Sequence, residues 1–151
     1  MLKVTVGNWK ISRVTYQPQN LRAEIGSFLN GYLPDTVWRH RLLVVANELI
    51  ANSCEHRFDD DSIVFSIRVT HFRDHVRVQM LLDDKSNLLI MQRYNNLLAA
   101  VDARKKGKSL HGVNGHGLKI ILLWTDDVQF SKKRVGGLSI KVVKSVTFPR
   151  V

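Results

Sequence analysis

Cysteine, proline and long apolar runs are all scarce in this sequence. Cys54 is the single cysteine, which excludes an internal disulfide and favours a reducing, cytoplasmic setting. No apolar run approaches the ~20 residues that a membrane-spanning helix needs. The N-terminus, MLKVTVGNWK, lacks the basic-then-apolar layout of a signal peptide. We therefore expect a cytoplasmic protein with no membrane association.

Acidic residues are also few, since 13 Asp and Glu stand against 23 Lys and Arg and leave a formal net charge of +10. Such a charge suits an acidic partner, which can be nucleic acid, a phosphate-bearing ligand or an acidic protein surface. The sequence has no arginine-rich helix, no aromatic RNA-binding pattern and no zinc-finger spacing. We therefore do not expect direct binding to nucleic acid.

The order of predicted elements indicates one α+β domain that spans residues 1–151. Alternating apolar residues predict strands within Leu2–Tyr16, Ser62–Thr70, His75–Leu82, Val128–Phe130 and Leu138–Phe148. Helical spacing predicts helices over Leu21–Asn30, Val37–His56, part of Leu88–Val101 and Leu118–Thr125. The predicted architecture is a two-layer sandwich, with helices on one face of a mixed, mostly antiparallel sheet.

The stretch NELIANSCEH, residues 47–56, places two polar side chains on a helix that is otherwise apolar. Glu48 and Asn52 are four positions apart, so they point the same way and can reach one ligand. A solvent-exposed stripe is one interpretation of this sector. The other is a site, because an amide oxygen can bind Mg²⁺ and a carboxylate can accept a proton.

A glycine-bearing segment, HGVNGHGLKIILLW, precedes the last predicted helix. Gly112, Gly115 and Gly117 allow backbone amides to approach phosphate oxygens, and the helix N-terminus adds its unpaired N–H groups. A flexible connection is the alternative interpretation. His111 and His116 have no further ligands in the pattern, so a dedicated metal site is not predicted here.

These two features stand in an order that resembles the histidine-kinase-like ATPases, the GHKL or Bergerat-fold group. Glu48 to Asn52, followed by His56, looks like the ExxxN motif (N-box) of that group. Gly115 to Leu118 resembles its GxGL motif, and Asp83 sits where its DxGxG motif begins. The chain is most similar to the anti-sigma-factor serine kinases of bacterial partner-switching systems, over roughly residues 34–146.

The resemblance implies a role for each matching residue. Glu48 would be the general base for an attacking serine hydroxyl, Asn52 would hold Mg²⁺, and Asp83 would accept a hydrogen bond from the adenine amino group of ATP. Four backbone amides would hold phosphate oxygens: those of Gly115, His116, Gly117 and Leu118. The implied function is Mg²⁺- and ATP-dependent phosphorylation of a partner protein, which regulates transcription. The implied partners are a sigma factor, a STAS-type antagonist and a second copy of the chain.

One departure from the family pattern leaves a second hypothesis open. The DxGxG glycines are replaced in the segment DDKSN, residues 83–87, where Lys85 and Asn87 stand instead. Those glycines shape the floor of the adenine pocket in the family. The alternative function is therefore a degenerate member of the same fold, which binds proteins and has weak or no ATP binding and no kinase activity.

Overall fold

One five-stranded sheet forms the framework of this computed structural model, which describes residues 2–12, 16–55, 63–84, 99–107, 116–132 and 137–148. The strands are β1 (Lys3–Ile11), β2 (Ile63–His71), β3 (His75–Asp84), β4 (Asp127–Lys132) and β5 (Leu138–Thr147). Their order in the sheet is β1-β2-β3-β5-β4, and each of these pairings is antiparallel. The helices are α1 (Pro18–Tyr32), α2 (Thr36–Glu55), α3, described over residues 99–105, and α4 (His116–Leu123).

The α+β two-layer prediction is confirmed, with one difference. The prediction allowed a mixed sheet, whereas the described strands pair only in the antiparallel sense. For β2–β3 and β4–β5 this follows from their short connections, because a parallel pair needs a crossover of a dozen or more residues. The β2–β3 hairpin, for example, is closed by a hydrogen bond from the Phe72 N–H to the His75 carbonyl at 2.9 Å.

Alternation along the strands gives the sheet a buried face and a solvent-facing face. Phe65, paired with Leu82 in the register, is buried beneath the helices. On the opposite face, which we call the outer face, Val64 pairs with Asp83, and Arg77 is exposed. The central side chains of the core come from both layers and are fully buried: Ile25, Leu29, Leu42, Ile50, Phe65, Ile67, Met80 and Leu82.

Helix α2 lies at the centre of the helical layer, as its broad apolar surface predicts. Its N-terminus is capped by Asp35, whose Oδ1 accepts the Trp38 N–H at 3.0 Å. Helix α2 ends at Glu55 and packs against both α1 and α4. None of the described helices combines the length and the apolar character needed to cross a bilayer.

Helix α4 begins at His116, two residues before its predicted start. Gly117 lies inside the first turn because its missing Cβ allows α2 to approach closely, and propensity alone does not predict that placement. The helix predicted in Leu88–Val101 is seen from residue 99 and continues to residue 105. Its earlier part and the 85–98 segment lie outside the described residues.

Candidate functional site

The Glu48 side chain of α2 lies directly against Gly117 in the first turn of α4. A Cβ built on Gly117 would be 2.1 Å from Glu48 Oε2 and 2.9 Å from its Cδ. Only a residue without a side chain fits this position while the carboxylate stays where it is. The structure therefore brings the Glu48 carboxylate to the helix that begins within the Gly115–Leu118 segment, although the two are far apart in sequence.

Asn52 follows Glu48 by one turn of α2 and is half-buried. The next residue, Ser53, points into the core and donates a hydrogen bond to Asp84 Oδ2 at 2.6 Å. Asp84 is only 2% exposed, so this bond fixes a buried carboxylate at the end of β3 beneath α2. A second carboxylate thus lies on the helix-facing side of the sheet, distant in sequence from the Asn52 turn but close to it in space.

The structure does not bring Asp83 to that side. Strand β3 buries its even-numbered positions, including Leu82 and Asp84, beneath the helices. Asp83 therefore projects to the outer face, where it pairs in the register with Val64 and with Ser139. Because side chains alternate along a strand, Asp84 and not Asp83 lies on the helix-facing side. The residue that sequence reasoning missed is Asp84, and the alternation Val76, Val78, Met80, Leu82 could have identified it.

The remaining predicted residues are Gly115, His116, Gly117 and Leu118. Gly115 lies outside the described residues. The backbones of His116, Gly117 and Leu118 form the first turn of α4, while the side chains of His116 and Leu118 lie outside the described part of the chain. The first N–H groups of a helix have no partners within the helix and attract anions. The Glu48 carboxylate lies at this end of α4.

An open cavity of about 470 Å³ adjoins Glu48 between α1 and α2. It is lined by Tyr16, Pro18, Arg22, Asn47, Glu48, Ala51 and Cys54. Partial burial raises the pKa of the Tyr16 phenol, with the nearby Cys54 and Glu48 acting in the same direction and Arg22 opposing them. Glu48 is therefore reached from two sides, from the cavity and from α4.

Helices α2 and α4 run antiparallel along one stripe of α2. Glu48 contacts Gly117 at the start of α4. Seven positions earlier on α2, the Arg41 guanidinium lies over the ring of Trp124, just beyond the end of α4, at 5.6 Å. Seven residues make two helical turns, so both contacts fall on the same side of α2. This packing fixes the position of the α4 N-terminus relative to Glu48.

Comparison with known proteins gives structural likeness but no sequence match. No family model matches the chain, and no curated protein matches it. A solved chain from the SiaB–SiaC complex of Pseudomonas aeruginosa is similar, with a TM-score of 0.58 and 12% sequence identity. The match covers 94% of this chain and 89% of that chain. At this identity the likeness establishes a shared fold across nearly the whole chain.

Proposed function

We propose that this chain is an ATP-binding regulator of the partner-switching type, which transfers the γ-phosphoryl group of ATP to a serine or threonine of a protein partner. The contact between Glu48 and Gly117 is the observation that supports the proposal most strongly. A carboxylate, a neighbouring amide and a helix N-terminus are the groups that phosphoryl transfer requires for positioning and charge neutralisation.

The residues present fit a Mg²⁺·ATP ligand in their donor chemistry. Asn52 offers an amide oxygen, which is a Mg²⁺ ligand that adds no charge. The α4 N-terminus offers backbone N–H groups, and the absent Cβ of Gly117 lets the Glu48 carboxylate lie beside this turn. When bound, ATP supplies the phosphoryl group and Mg²⁺ offsets its negative charge.

Within this proposal each residue has a separate task. Glu48 accepts the proton of the acceptor hydroxyl, Asn52 holds Mg²⁺, and the amides of residues 115–118 hold phosphate oxygens. We assign recognition of the adenine amino group to Asp84 in place of Asp83, because Asp84 lies on the helix-facing side. The Ser53 hydroxyl, bonded to Asp84, fixes the orientation of that carboxylate.

A protein acceptor is supported by the structural likeness. The similar chain comes from a complex of two proteins, SiaB and SiaC. The family resemblance implies three specific partners: a sigma factor, a STAS-type antagonist and a second copy of the chain. The basic surface of this chain suits acidic faces on such partners.

The proposal is tested by transfer of label from ATP radiolabelled in the γ-phosphate. The purified chain is incubated with Mg²⁺ and a dialysed extract of cells that lack it. We expect labelling of a small number of proteins with the wild type, and none with Glu48→Gln, which keeps the size of the side chain and removes the charge. Glu24→Gln, at an exposed glutamate of α1, is the matched control and should label as the wild type does.

The degenerate binding module is the second candidate function. It is favoured by the missing glycines after Asp84, because Ser86 and Leu88 stand at the two glycine positions when the motif begins at Asp84. ATP binding without label transfer would support this second function. Labelling that Glu48→Gln leaves unchanged would contradict the first function and exclude a role for this site in the transfer.

A further inference from the structure

A stacked arginine lies between two tryptophans near the N-terminus of α2. The Arg41 guanidinium carbon is 5.0 Å from the centre of the Trp38 ring and 5.6 Å from that of Trp124. From β5, the Lys144 ammonium lies 4.2 Å from the Trp38 ring. We name this group, together with the exposed aliphatic residue that precedes each tryptophan in sequence, the Trp–Arg surface: Val37, Trp38, Arg41, Leu123, Trp124 and Lys144.

The two cations of the Trp–Arg surface differ in how their charge is balanced. Lys144 is paired with Asp126 at 3.0 Å, and Asp126 also accepts the Ser145 N–H at 2.7 Å. Within the described ranges, by contrast, no carboxylate lies within salt-bridge distance of Arg41. Arg41 is therefore held in place by aromatic stacking, and its charge has no partner among those residues.

The apolar part of the Trp–Arg surface is exposed. Leu123, at the end of α4, is 67% exposed, and Val37 is 57% exposed. Arginine and tryptophan are the residue types most enriched among the side chains that dominate protein interfaces. An arginine already immobilised between two rings also loses less side-chain freedom when it binds. The surface thus combines a preorganised cation with uncovered aliphatic side chains.

We propose that the Trp–Arg surface binds an acidic segment of a protein partner. A carboxylate of the segment pairs with Arg41, and its apolar side chains cover Leu123 and Val37. A single unpaired cation among aliphatic residues fits a peptide, whereas a nucleic-acid backbone requires several cations in a row. Arg41 lies two turns before Glu48, about 10 Å along α2, so this binding does not depend on the proposed ATP site.

Fluorescence anisotropy with two labelled peptides tests the proposal in the absence of ATP. One short peptide is an amphipathic sequence of Glu and Leu, and the second replaces every Glu with Lys. We expect the wild-type chain to bind the first peptide only. Arg41→Met removes a charge-assisted hydrogen bond and should weaken binding about tenfold or more. Arg77→Met, at an exposed arginine of the outer face, should change it less than about twofold.

Leu123→Asp is a second variant, chosen because an exposed helix-end residue can change without disturbing the core. Its new carboxylate should repel the acidic peptide and weaken binding. The tryptophan side chains supply an internal control, since the chain has only 3 of them. In an NMR titration the indole N–H signals of Trp38 and Trp124 should shift. The signal of Trp9, which lies in β1 and packs against Phe28 and Phe65, should not shift.

Four results would overturn the proposal. The first is that the acidic peptide does not bind. The second is that Arg41→Met and Arg77→Met weaken peptide binding equally, which would indicate attraction by net charge alone. The third is that Arg41→Met lowers the melting temperature but leaves the peptide affinity unchanged, which would make the stack purely structural. The fourth is that single-stranded DNA binds through Arg41 more tightly than the acidic peptide does, which would assign the surface to nucleic acid.

Discussion

Replacing Gly117 with alanine tests the contact on which the candidate site depends. The added Cβ would lie 2.1 Å from Glu48 Oε2, 2.9 Å from Cδ and 3.5 Å from Cγ. Normal carbon contacts are ~3.5 Å or more, so the carboxylate must retreat by roughly 1 Å or more. It can do so because it is the end of a flexible side chain, but the displaced glutamate leaves its present conformation.

The expected magnitude follows from two opposing effects. Alanine favours a helix over glycine by up to ~1 kcal/mol. Forcing Glu48 away from a preferred rotamer costs ~0.5–1.5 kcal/mol. We therefore expect Gly117→Ala to leave the free energy of unfolding almost unchanged in the wild type. In a Glu48→Ala background the conflict is absent, so the same substitution should stabilise by ~1 kcal/mol.

Urea unfolding of the four proteins of this cycle measures the coupling between Gly117 and Glu48. Gly31→Ala is the matched control, because Gly31 is also helical and a Cβ there meets nothing within 4 Å. It should stabilise the wild type and the Glu48→Ala variant equally. If the effect of Gly117→Ala is also the same in both backgrounds, to within ~0.3 kcal/mol, the proposed contact is refuted.

Two further predictions concern the surroundings of the site. Ser53→Ala removes the 2.6 Å hydrogen bond to the buried Asp84 carboxylate and should lower the free energy of unfolding by ~1.5–3 kcal/mol, as measured in urea. The pKa of Tyr16 is raised, so its contribution to stability is complete below its ordinary value of 10.0 and falls as pH rises through the folded-state pKa. As pH rises through the alkaline range, the free energy of unfolding should therefore fall less steeply in Tyr16→Phe than in the wild type. Titration of phenol absorbance should show a lower Tyr16 pKa in Glu48→Gln.

Each of these predictions has a clear contrary result. The control is Ser27→Ala, at an exposed position of α1, which should change the free energy of unfolding by less than ~0.5 kcal/mol. If Ser53→Ala has an equally small effect, the buried hydrogen bond does not contribute to stability. A Tyr16 pKa that is unmoved by Glu48→Gln would place the carboxylate farther from the phenol than the cavity geometry implies.

The layer architecture could be predicted from the sequence because each strong pattern had one physical solution. The apolar arc of α2 covers most of its circumference, which predicts a helix buried between neighbours. Two residues before that arc, Asp35 and Thr36, are candidate caps, and the structure uses Asp35, which accepts the Trp38 N–H. The alternating run within Leu2–Tyr16 predicts a strand, and the structure has β1 there, at the edge of the sheet.

The site was harder to predict because it depends on register and on contacts between distant elements. Asp83 and Asp84 are adjacent carboxylates, and only the parity of the strand decides which one faces the helices. The stacking of Arg41 on Trp124 depends on how α2 and α4 pack, which no local pattern specifies. The family resemblance implied that Glu48 and Gly117 belong to one site, but no sequence pattern predicts their direct contact.

Calorimetric titration with ATP, in the presence and absence of Mg²⁺, tests the central claim most directly. The account predicts saturable binding to the wild type at or below ~1 mM ATP, strengthened by Mg²⁺. Asn52→Ala should abolish the Mg²⁺-dependent part, whereas Asn8→Ala, at an exposed asparagine of β1, should bind as the wild type does. No binding at ~1 mM ATP, or Mg²⁺-dependent binding that survives Asn52→Ala, would contradict the account.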